Sequence, residues 1–142
     1  MRIADILRSK GTTVATCEPG TTVASLVTAL NAHNVGALVV MDQGGVVRGI
    51  VSERDVVRRL AEHGPSLLEQ PVSTIMTATV ITCGLEDTVD TLRELMTDNR
   101  VRHVPVIVDG ELSGIVSIGD VVKSRISELE NDRQHLESYI YR

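Results

Sequence analysis

The sequence contains no phenylalanine and no tryptophan, and its aromatic residues are limited to Tyr139 and Tyr141. A hydrophobic core must therefore be built from aliphatic side chains, and aromatic platforms for stacking nucleobases are missing. A basic surface is missing as well, because the net charge of the 142 residues is −5. Binding to nucleic-acid phosphates needs clustered positive charge, so we expect no nucleic-acid partner.

Other signals of location or chemistry are also scarce. No signal peptide is present and no apolar run approaches the roughly 18 residues of a membrane span, so we expect a cytoplasmic protein without a membrane partner. Cys17 and Cys83 are the two cysteines, and they do not form a CxxC pair. The histidines lack metal-ligand spacing, and P-loop, GxSxG and GxGxxG motifs are absent. The pattern predicts no enzyme, no catalytic residue, no metal and no required cofactor.

One motif is present twice. GIVSERD at residues 49–55 and GIVSIGD at residues 114–120 are each followed by two valines. At an offset of 66, TVATC ending at Cys17 aligns with TVITC ending at Cys83. Such self-similarity indicates an internal repeat that covers nearly the whole chain. We interpret the cysteines as small apolar residues in matching strands.

Each repeat predicts the element order β-α-β-β-α, from short β-branched segments, helical spacing of apolar residues and a hairpin with a glycine turn. Residues 1–10 and 72–76 form matching lead-in segments. The expected boundaries are repeat 1 at 1–62, a linker at 63–71, repeat 2 at 72–125 and a C-terminal helical extension at 126–142. Each repeat is too small to bury a strong core alone. We therefore predict an α+β fold with the repeats packed sheet to sheet about a pseudo-twofold axis.

The doubled unit ending in G-h-h-[ST]-x-x-D resembles the cystathionine-β-synthase (CBS) domain, and the pair resembles a Bateman module. The chain is similar to stand-alone bacterial two-CBS proteins. This resemblance implies a regulatory module without catalysis, which binds an adenosine nucleotide in the clefts between the repeats. The implied regulatory ligand is AMP, ADP, ATP or NAD(H), and a target protein that the sequence does not identify would read the signal.

The SxxD segments of the motif support two interpretations. Ser52 and Ser117 can cap helices, with Asp55 and Asp120 completing a capping box. The same geometry suits a ligand, because a helix N-terminus attracts phosphate and a carboxylate accepts two hydrogen bonds from a ribose diol. The resemblance assigns the diol to the two aspartates, and contacts near ribose or phosphate to the two serines.

The glycines of the motif are open to two interpretations as well. Gly49 and Gly114 can relieve crowding in a strand, which is the usual reason for such a glycine. They can also allow a ligand to lie close to the backbone. The sequence does not decide between the two.

Cationic side chains precede the second strand of repeat 2. The segment RVRHVPV contains Arg100, Arg102 and His103, and such residues are usually solvated when taken alone. The resemblance implies that Arg102 and His103 hold phosphate, and arginine is suited to bidentate binding. It also places Pro105 of the same strand among the ligand-binding residues.

Repeat 1 has Gly36 and Ala37 where repeat 2 has these cations. We therefore predict that the two sites differ and that the site of Asp120 holds phosphate more firmly. The alternative is that Arg54, or a residue of the other repeat, supplies the charge to the site of Asp55.

The adenine is expected in an apolar slot beside the first strand of each repeat, where backbone groups can read its edge. This is suggested by the resemblance. The residues concerned are Thr13, Val14 and Ala15 in repeat 1, and Thr79, Val80 and Ile81 in repeat 2.

The C-terminal segment carries an apolar stripe at heptad-like spacing, interrupted by Arg133. The stripe consists of Val122, Ile126, Leu129, Leu136 and Ile140. It can fold back on its own repeat, or it can pair with a second copy, and we predict a homodimer. A structural or assembly dimer whose SxxD segments only cap helices is the alternative function, and a nucleic-acid-associated regulator is a weaker one.

Overall fold

The computed structural model describes residues 1–141 and has the α+β content expected from the sequence. Each repeat contributes a small sheet flanked by helices. In chain order the elements are α1 (Ile3–Lys10), β1 (Thr16–Cys17), α2 (Val23–His33), β2 (Ala37–Met41), β3 (Val47–Ser52), α3 (Glu53–His63), 3₁₀ helices at Gly64–Glu69 and Val72–Thr74, α4 (Val89–Asn99), β4 (His103–Val108), β5 (Glu111–Ser117) and α5 (Ile118–Ile140).

The two sheets follow one plan. In the first, β1 pairs parallel to β2, and β2 pairs antiparallel to β3. In the second, β4 pairs antiparallel to β5, and the place of the first strand is taken by a single parallel bridge between Cys83 and Val106. Both predicted first strands are therefore wrong in extent, because TVATC forms a strand only at Thr16–Cys17 and TVITC contributes only the bridge at Cys83. Thr79, Val80 and Ile81 belong to no strand, and they line a cleft between the repeats.

Threonines start the equivalent helices α2 and α4. Thr22 Oγ1 accepts a hydrogen bond from Ser25 N at 3.2 Å, and Thr88 Oγ1 accepts one from Thr91 N at 3.1 Å. Each side chain satisfies a helix N–H that has no partner within the helix, which fixes where the helix begins.

Each lead-in segment packs in the core of the other repeat, so that the two segments are exchanged. Ile3, Ile6 and Leu7 of α1 are buried among side chains of α4, β4 and β5, which belong to repeat 2. Val72 and Ile75 are buried among side chains of α2, β2 and β3, which belong to repeat 1. The repeats visible in the sequence and the cores formed by packing therefore do not coincide.

Backbone hydrogen bonds fix this exchange in the same way on both sides. Ile3 N donates to Asp87 O at 2.9 Å, and Val72 N donates to Thr21 O at 2.7 Å. Thr21 and Asp87 are equivalent positions at the offset of 66. The pseudo-twofold symmetry thus includes the lead-in segments, each bonded to the repeat that it helps to bury.

The motif glycines make room for these segments. A methyl group on Gly49 would lie 2.7 Å from Thr77 O and 2.8 Å from Met76 Sδ, and one on Gly114 would lie 2.8 Å from both δ-carbons of Leu7. Such contacts are too short for a side chain at either position. Crowding by the exchanged lead-in segment is therefore the reason for glycine at both places.

The segment expected to be a linker is folded. Residues Gly64–Glu69 form a 3₁₀ helix that follows α3 directly. Leu67 from this segment is 1% exposed and packs in the core of repeat 1. Residues 63–71 therefore contribute to the stability of the first repeat.

The cysteines are apolar packing residues. Cys83 is buried in the core of repeat 2, and Cys17 packs against the core of repeat 1. Burial raises the pKa of both thiols, and the negative charge of Asp87 adds to this effect, so that the pKa of Cys83 reaches about 11. A thiol with a raised pKa is a poor nucleophile and a poor redox group.

Helix α5 continues well beyond the second repeat. It runs unbroken to Ile140, and Arg142, the last residue of the predicted extension, lies outside the described residues. Its apolar stripe does not fold back on the repeat, because Val122, Leu129 and Leu136 are 52%, 53% and 64% exposed. None of the helices in residues 1–141 combines the length and hydropathy that a membrane span requires.

Candidate functional site

A cleft of about 320 Å³ lies between the two repeats. Its first wall comes from the junction of β3 and α3 and from the loop before β2, and its second wall comes from the loops before α4 and β4. The residues of the first wall are Gly36, Ala37, Ile50, Ser52, Glu53, Arg54, Asp55 and Arg58, and those of the second are Thr77, Thr79, Val80, Ile81, Asn99, Arg100, Val101, Arg102 and His103. A volume in this range is typical of small-ligand sites.

The SxxD segment in this cleft forms a complete capping box. Ser52 Oγ accepts a hydrogen bond from Asp55 N at 3.3 Å, and Asp55 Oδ2 accepts hydrogen bonds from Ser52 N at 2.8 Å and Ser52 Oγ at 3.1 Å. Within residues 1–141, all bonds to the carboxylate use this one oxygen, so the second oxygen keeps its acceptor capacity. Capping and ligand binding are thus compatible.

Positive charge is concentrated in the cleft. Four arginines line it against two carboxylates, although the chain as a whole carries a net charge of −5. Arg54 and Arg58 come from α3 of repeat 1, whereas Arg100 and Arg102 come from repeat 2. A cationic cleft on an acidic protein focuses the field and attracts small anions.

Gly36 and Ala37 of repeat 1 meet their cationic counterparts of repeat 2 in the cleft. These residues lie in the same cleft as Arg102 and His103, their counterparts at the offset of 66. A methyl group on Gly36 would lie 3.4 Å from Glu53 Oε1 and 3.5 Å from His103 Cε1. These are ordinary van der Waals distances, so Gly36 and the cationic segment of the other repeat lie side by side where the two repeats meet.

His103 is enclosed by groups of both signs. Burial lowers the pKa of the imidazole, and the positive charges of Lys10 and Arg102 lower it further. The carboxylates of Glu53 and Asp120 oppose this shift without cancelling it. The imidazole is therefore mainly neutral at pH 7, and the arginines supply the positive charge of the cleft.

Arg100 occupies an unusual backbone conformation. It is the C-cap residue of α4 and has φ 55° and ψ 39°, which lies in the left-handed region. Glycine and asparagine are the residues that adopt this conformation most readily, and Asn34 does so at the equivalent end of α2. An arginine there is strained by roughly 1 kcal/mol, and such strain is common where a side chain has a function.

The cleft brings together most of the predicted site residues. These are Ser52, Arg54, Asp55, Thr79, Val80, Ile81, Arg102 and His103. Those outside it are Thr13, Val14, Ala15, Pro105, Ser117 and Asp120. Pro105 is an interior residue of β4 whose carbonyl accepts a hydrogen bond from Cys83 N at 3.0 Å, and Val14 lines a separate open groove.

The prediction that the site of Asp120 holds phosphate more firmly rested on Arg102 and His103, and the structure places both residues at the other site. Arg102 and His103 line the cleft of Asp55, so a residue of the other repeat supplies its charge, which was the alternative left open. Asp120 Oδ2 instead accepts a hydrogen bond from Lys10 Nζ at 2.7 Å, besides those from Ser117. Burial alone would raise the pKa of Asp120, but the bonds from Lys10 and Ser117 outweigh it and hold the pKa below its usual value.

Three charged residues near these sites were not predicted from the sequence. Glu53 and Arg58 line the cleft, and Lys10 reaches Asp120 from α1. Arg58 follows Asp55 by three positions, which places it on the same helix face and was a usable signal. No local pattern indicated Lys10, because Lys10 and Asp120 are 110 residues apart in the chain.

Comparison with known proteins decides the family. The model of the CBS domain matches twice, over residues 3–62 and 72–127. The chain belongs to the CBS-domain family. The predicted pair of CBS repeats, packed sheet to sheet and followed by a C-terminal helix, is thereby confirmed, and the chain is a CBS-pair regulatory module.

Relatives of the CBS pair are found among both curated and solved proteins. The CBS domain-containing protein CBSX3, mitochondrial, of Arabidopsis thaliana is 40% identical over 97% of this chain and 71% of its own length. The CBS-domain containing protein ATU1752 of Agrobacterium tumefaciens is 47% identical, with a TM-score of 0.86 over 87% of this chain and 92% of the other. The CBS domain pair of protein MJ0100, solved in complex with 5′-methylthioadenosine and S-adenosyl-L-methionine, is 25% identical, with a TM-score of 0.80 over 90% and 98% of the two chains.

Proposed function

We propose that this CBS pair is a sensor that binds an adenosine nucleotide in the cleft of Asp55 and has no catalytic activity. The observation that carries the proposal is the combination of a capped carboxylate with free acceptor capacity and four arginines in one cleft. The complex of MJ0100 supports it, because that CBS pair holds two adenosine compounds. The proposed location is the cytoplasm, and the partner that reads the signal is a target protein still to be identified.

Each part of an adenosine nucleotide has a counterpart in the cleft. Asp55 at the start of α3 accepts the ribose diol. Thr79, Val80 and Ile81 on the opposite wall lie outside the strands and offer side-chain methyl groups and backbone polar groups to the adenine. The arginines of both repeats hold the phosphates, because the planar guanidinium group matches phosphate oxygens in a bidentate manner. A ligand in this position contacts both repeats and would restrain them relative to each other.

The charge of the cleft favours particular ligands. 5′-Methylthioadenosine has no phosphate, so it would leave the four arginines without a partner. AMP, ADP, ATP and NAD(H) carry phosphate and would engage them. We therefore propose a phosphorylated adenosine ligand for this chain.

Thermal unfolding with a ligand panel tests the proposal. The panel contains AMP, ADP, ATP, NAD, NADH, S-adenosylmethionine, 5′-methylthioadenosine and GMP. A ligand at a hundred times its dissociation constant adds about 2.7 kcal/mol to the free energy of unfolding. For a protein of this size the midpoint should then rise by several degrees with phosphorylated adenosine ligands and much less with GMP.

Absence of any shift at millimolar concentration would favour the alternative, a structural or assembly module. The specific observation behind this alternative is that both SxxD segments form complete capping boxes. Capping alone is then a sufficient reason for both motifs.

Arg100 offers a test of phosphate binding that is independent of the panel. We expect Arg100→Asn to stabilise the fold by roughly 1 kcal/mol, because asparagine tolerates the left-handed conformation. The same change should weaken AMP about tenfold or more through loss of a charge-assisted hydrogen bond, and leave adenosine unaffected. Urea unfolding and calorimetric titration measure the two effects. Equal changes for AMP and adenosine would contradict a phosphate role for Arg100.

We further propose that the CBS pair is a homodimer in which α5 pairs with α5 of a second copy. The exposed stripe is the supporting feature. The double change Leu129→Glu and Leu136→Glu should raise the dimer dissociation constant at least tenfold, since each leucine buried in an interface contributes about 1.5–3 kcal/mol. Light scattering after gel filtration measures the mass.

A matched control for the dimer exists on the same helix. Asn131→Glu with Ser138→Glu adds the same charge at the same seven-residue spacing, but outside the stripe. This control should remain dimeric. A monomeric native protein, or a dimer that survives the leucine changes, would rule out pairing through the stripe.

A further inference from the structure

The two lead-in segments differ in length after their buried part. Leu7 and Met76 hold equivalent places, because each lies against the motif glycine of the repeat that its segment helps to bury. Five residues separate Leu7 from Thr13, whereas two separate Met76 from Thr79. The first lead-in segment therefore has three additional residues, and Lys10 is within this stretch.

The additional residues change what contacts the strand beside the motif. In the cleft of Asp55, Thr77 makes backbone hydrogen bonds to Ile50 in both directions, at 2.9 and 3.0 Å. Ile115 is the counterpart of Ile50 in repeat 2, and its carbonyl accepts a hydrogen bond from Lys10 Nζ at 2.8 Å. The ammonium group of Lys10 thus contacts Ile115 where the backbone of Thr77 contacts Ile50 in the other repeat.

The same ammonium group engages the motif carboxylate. Lys10 Nζ lies 2.7 Å from Asp120 Oδ2, and the side chains of the pair are 33% and 22% exposed. Asp55, the counterpart of Asp120, forms no ion pair within residues 1–141. A ribose diol that approached Asp120 would have to compete with a charged hydrogen-bond donor that belongs to the chain.

From this asymmetry we infer that Lys10 is a built-in competitor of the ligand at Asp120, so that each chain binds one adenosine ligand, at Asp55. The inference rests on the proposed function and adds stoichiometry to it. Because the two capping boxes are alike, removal of Lys10 should leave the carboxylate of Asp120 as open to a ribose diol as that of Asp55.

Calorimetric titration with AMP tests the inference. The native chain should bind one AMP per chain, and Lys10→Ala should bind two. Asp55→Ala should lose measurable binding in the native background but retain one site in the Lys10→Ala background. Arg8→Ala is the matched control, because it removes an exposed cation from the same helix, and it should still bind one AMP. Circular dichroism verifies that each variant is folded.

The possible outcomes separate the two proposals. Two AMP per native chain, or one AMP per Lys10→Ala chain, would overturn the role of Lys10 and leave nucleotide binding at Asp55 intact. Two sites in the native chain and one in Lys10→Ala would show that Lys10 is a ligand-binding residue. No binding by any of the proteins, in the folded state, would overturn both the inference and the proposed function.

Discussion

Replacement of Asp55 by alanine should reduce the affinity for AMP by roughly a hundredfold or more. The carboxylate is proposed to accept two hydrogen bonds from the ribose diol, and bonds to a charged group contribute about 1.5–3 kcal/mol each. Asp120→Ala is the matched comparison, because it removes an identical capping box from α5. It should change the affinity less than about threefold, since Asp120 is already engaged by Lys10. Calorimetric titration measures both.

Loss of the helix cap must be separated from loss of the ligand contact. Asp55→Ala should also lower the free energy of unfolding by about 1 kcal/mol, which is the usual contribution of a cap. Asp55→Asn retains an acceptor for the cap and has the same size, so it should recover most of the stability but little of the affinity. Equal losses of affinity from Asp55→Ala and Asp120→Ala would contradict the assignment of the ligand to one cleft.

The second large effect concerns stability. Gly49→Ala should lower the free energy of unfolding by about 2–3 kcal/mol, because its methyl group would lie 2.7 Å from the carbonyl oxygen of Thr77. This oxygen accepts a hydrogen bond from Ile50 N at 3.0 Å, so it cannot move without loss of that bond. Urea unfolding measures this change as a lower urea concentration at the midpoint of the transition, with an unchanged m-value.

Two other glycines calibrate this result. Gly114→Ala should cost less, about 1–2 kcal/mol, because the obstructing atoms belong to the side chain of Leu7. Its cost should fall further in a Leu7→Ala background, which would demonstrate the contact directly. Gly20→Ala has open space around the added methyl group and should be nearly neutral. If Gly49→Ala left the free energy of unfolding unchanged, crowding by the exchanged lead-in segment would be excluded as the reason for this glycine.

Much of the fold follows from local sequence. The duplicated motif predicts the pseudo-twofold symmetry, and the spacing of Ser52 with Asp55 predicts the capping box that the structure contains. Strand extents were less predictable. The β-branched residues Thr79, Val80 and Ile81 have strand propensity, but their place at the junction of the repeats removes them from the ladder.

The composition of the cleft was harder to predict, because it depends on long-range packing. Apolar spacing in α1 indicates an amphipathic helix, but it does not indicate which core receives Ile3 and Leu7. The same holds for Arg102, which lies in the cleft of Asp55 because the repeats meet there about their symmetry axis. Lys10 contacts Asp120 only because helix α1 has crossed to the second repeat.

The exchange of lead-in segments also sets the order in which the two cores can fold during synthesis at the ribosome. Residues 12–76 contain the core of the first repeat together with the segment that completes it, so this unit can close while the chain is still being made. Helix α1 has to wait for strand β5, because Lys10 and Ile115 are 105 residues apart. At about 5–20 residues per second, Ile3, Ile6 and Leu7 stay without their partners for roughly 5–20 s. Helix α1 is thus made well before the core that buries it, and its apolar face stays accessible to chaperones during that interval.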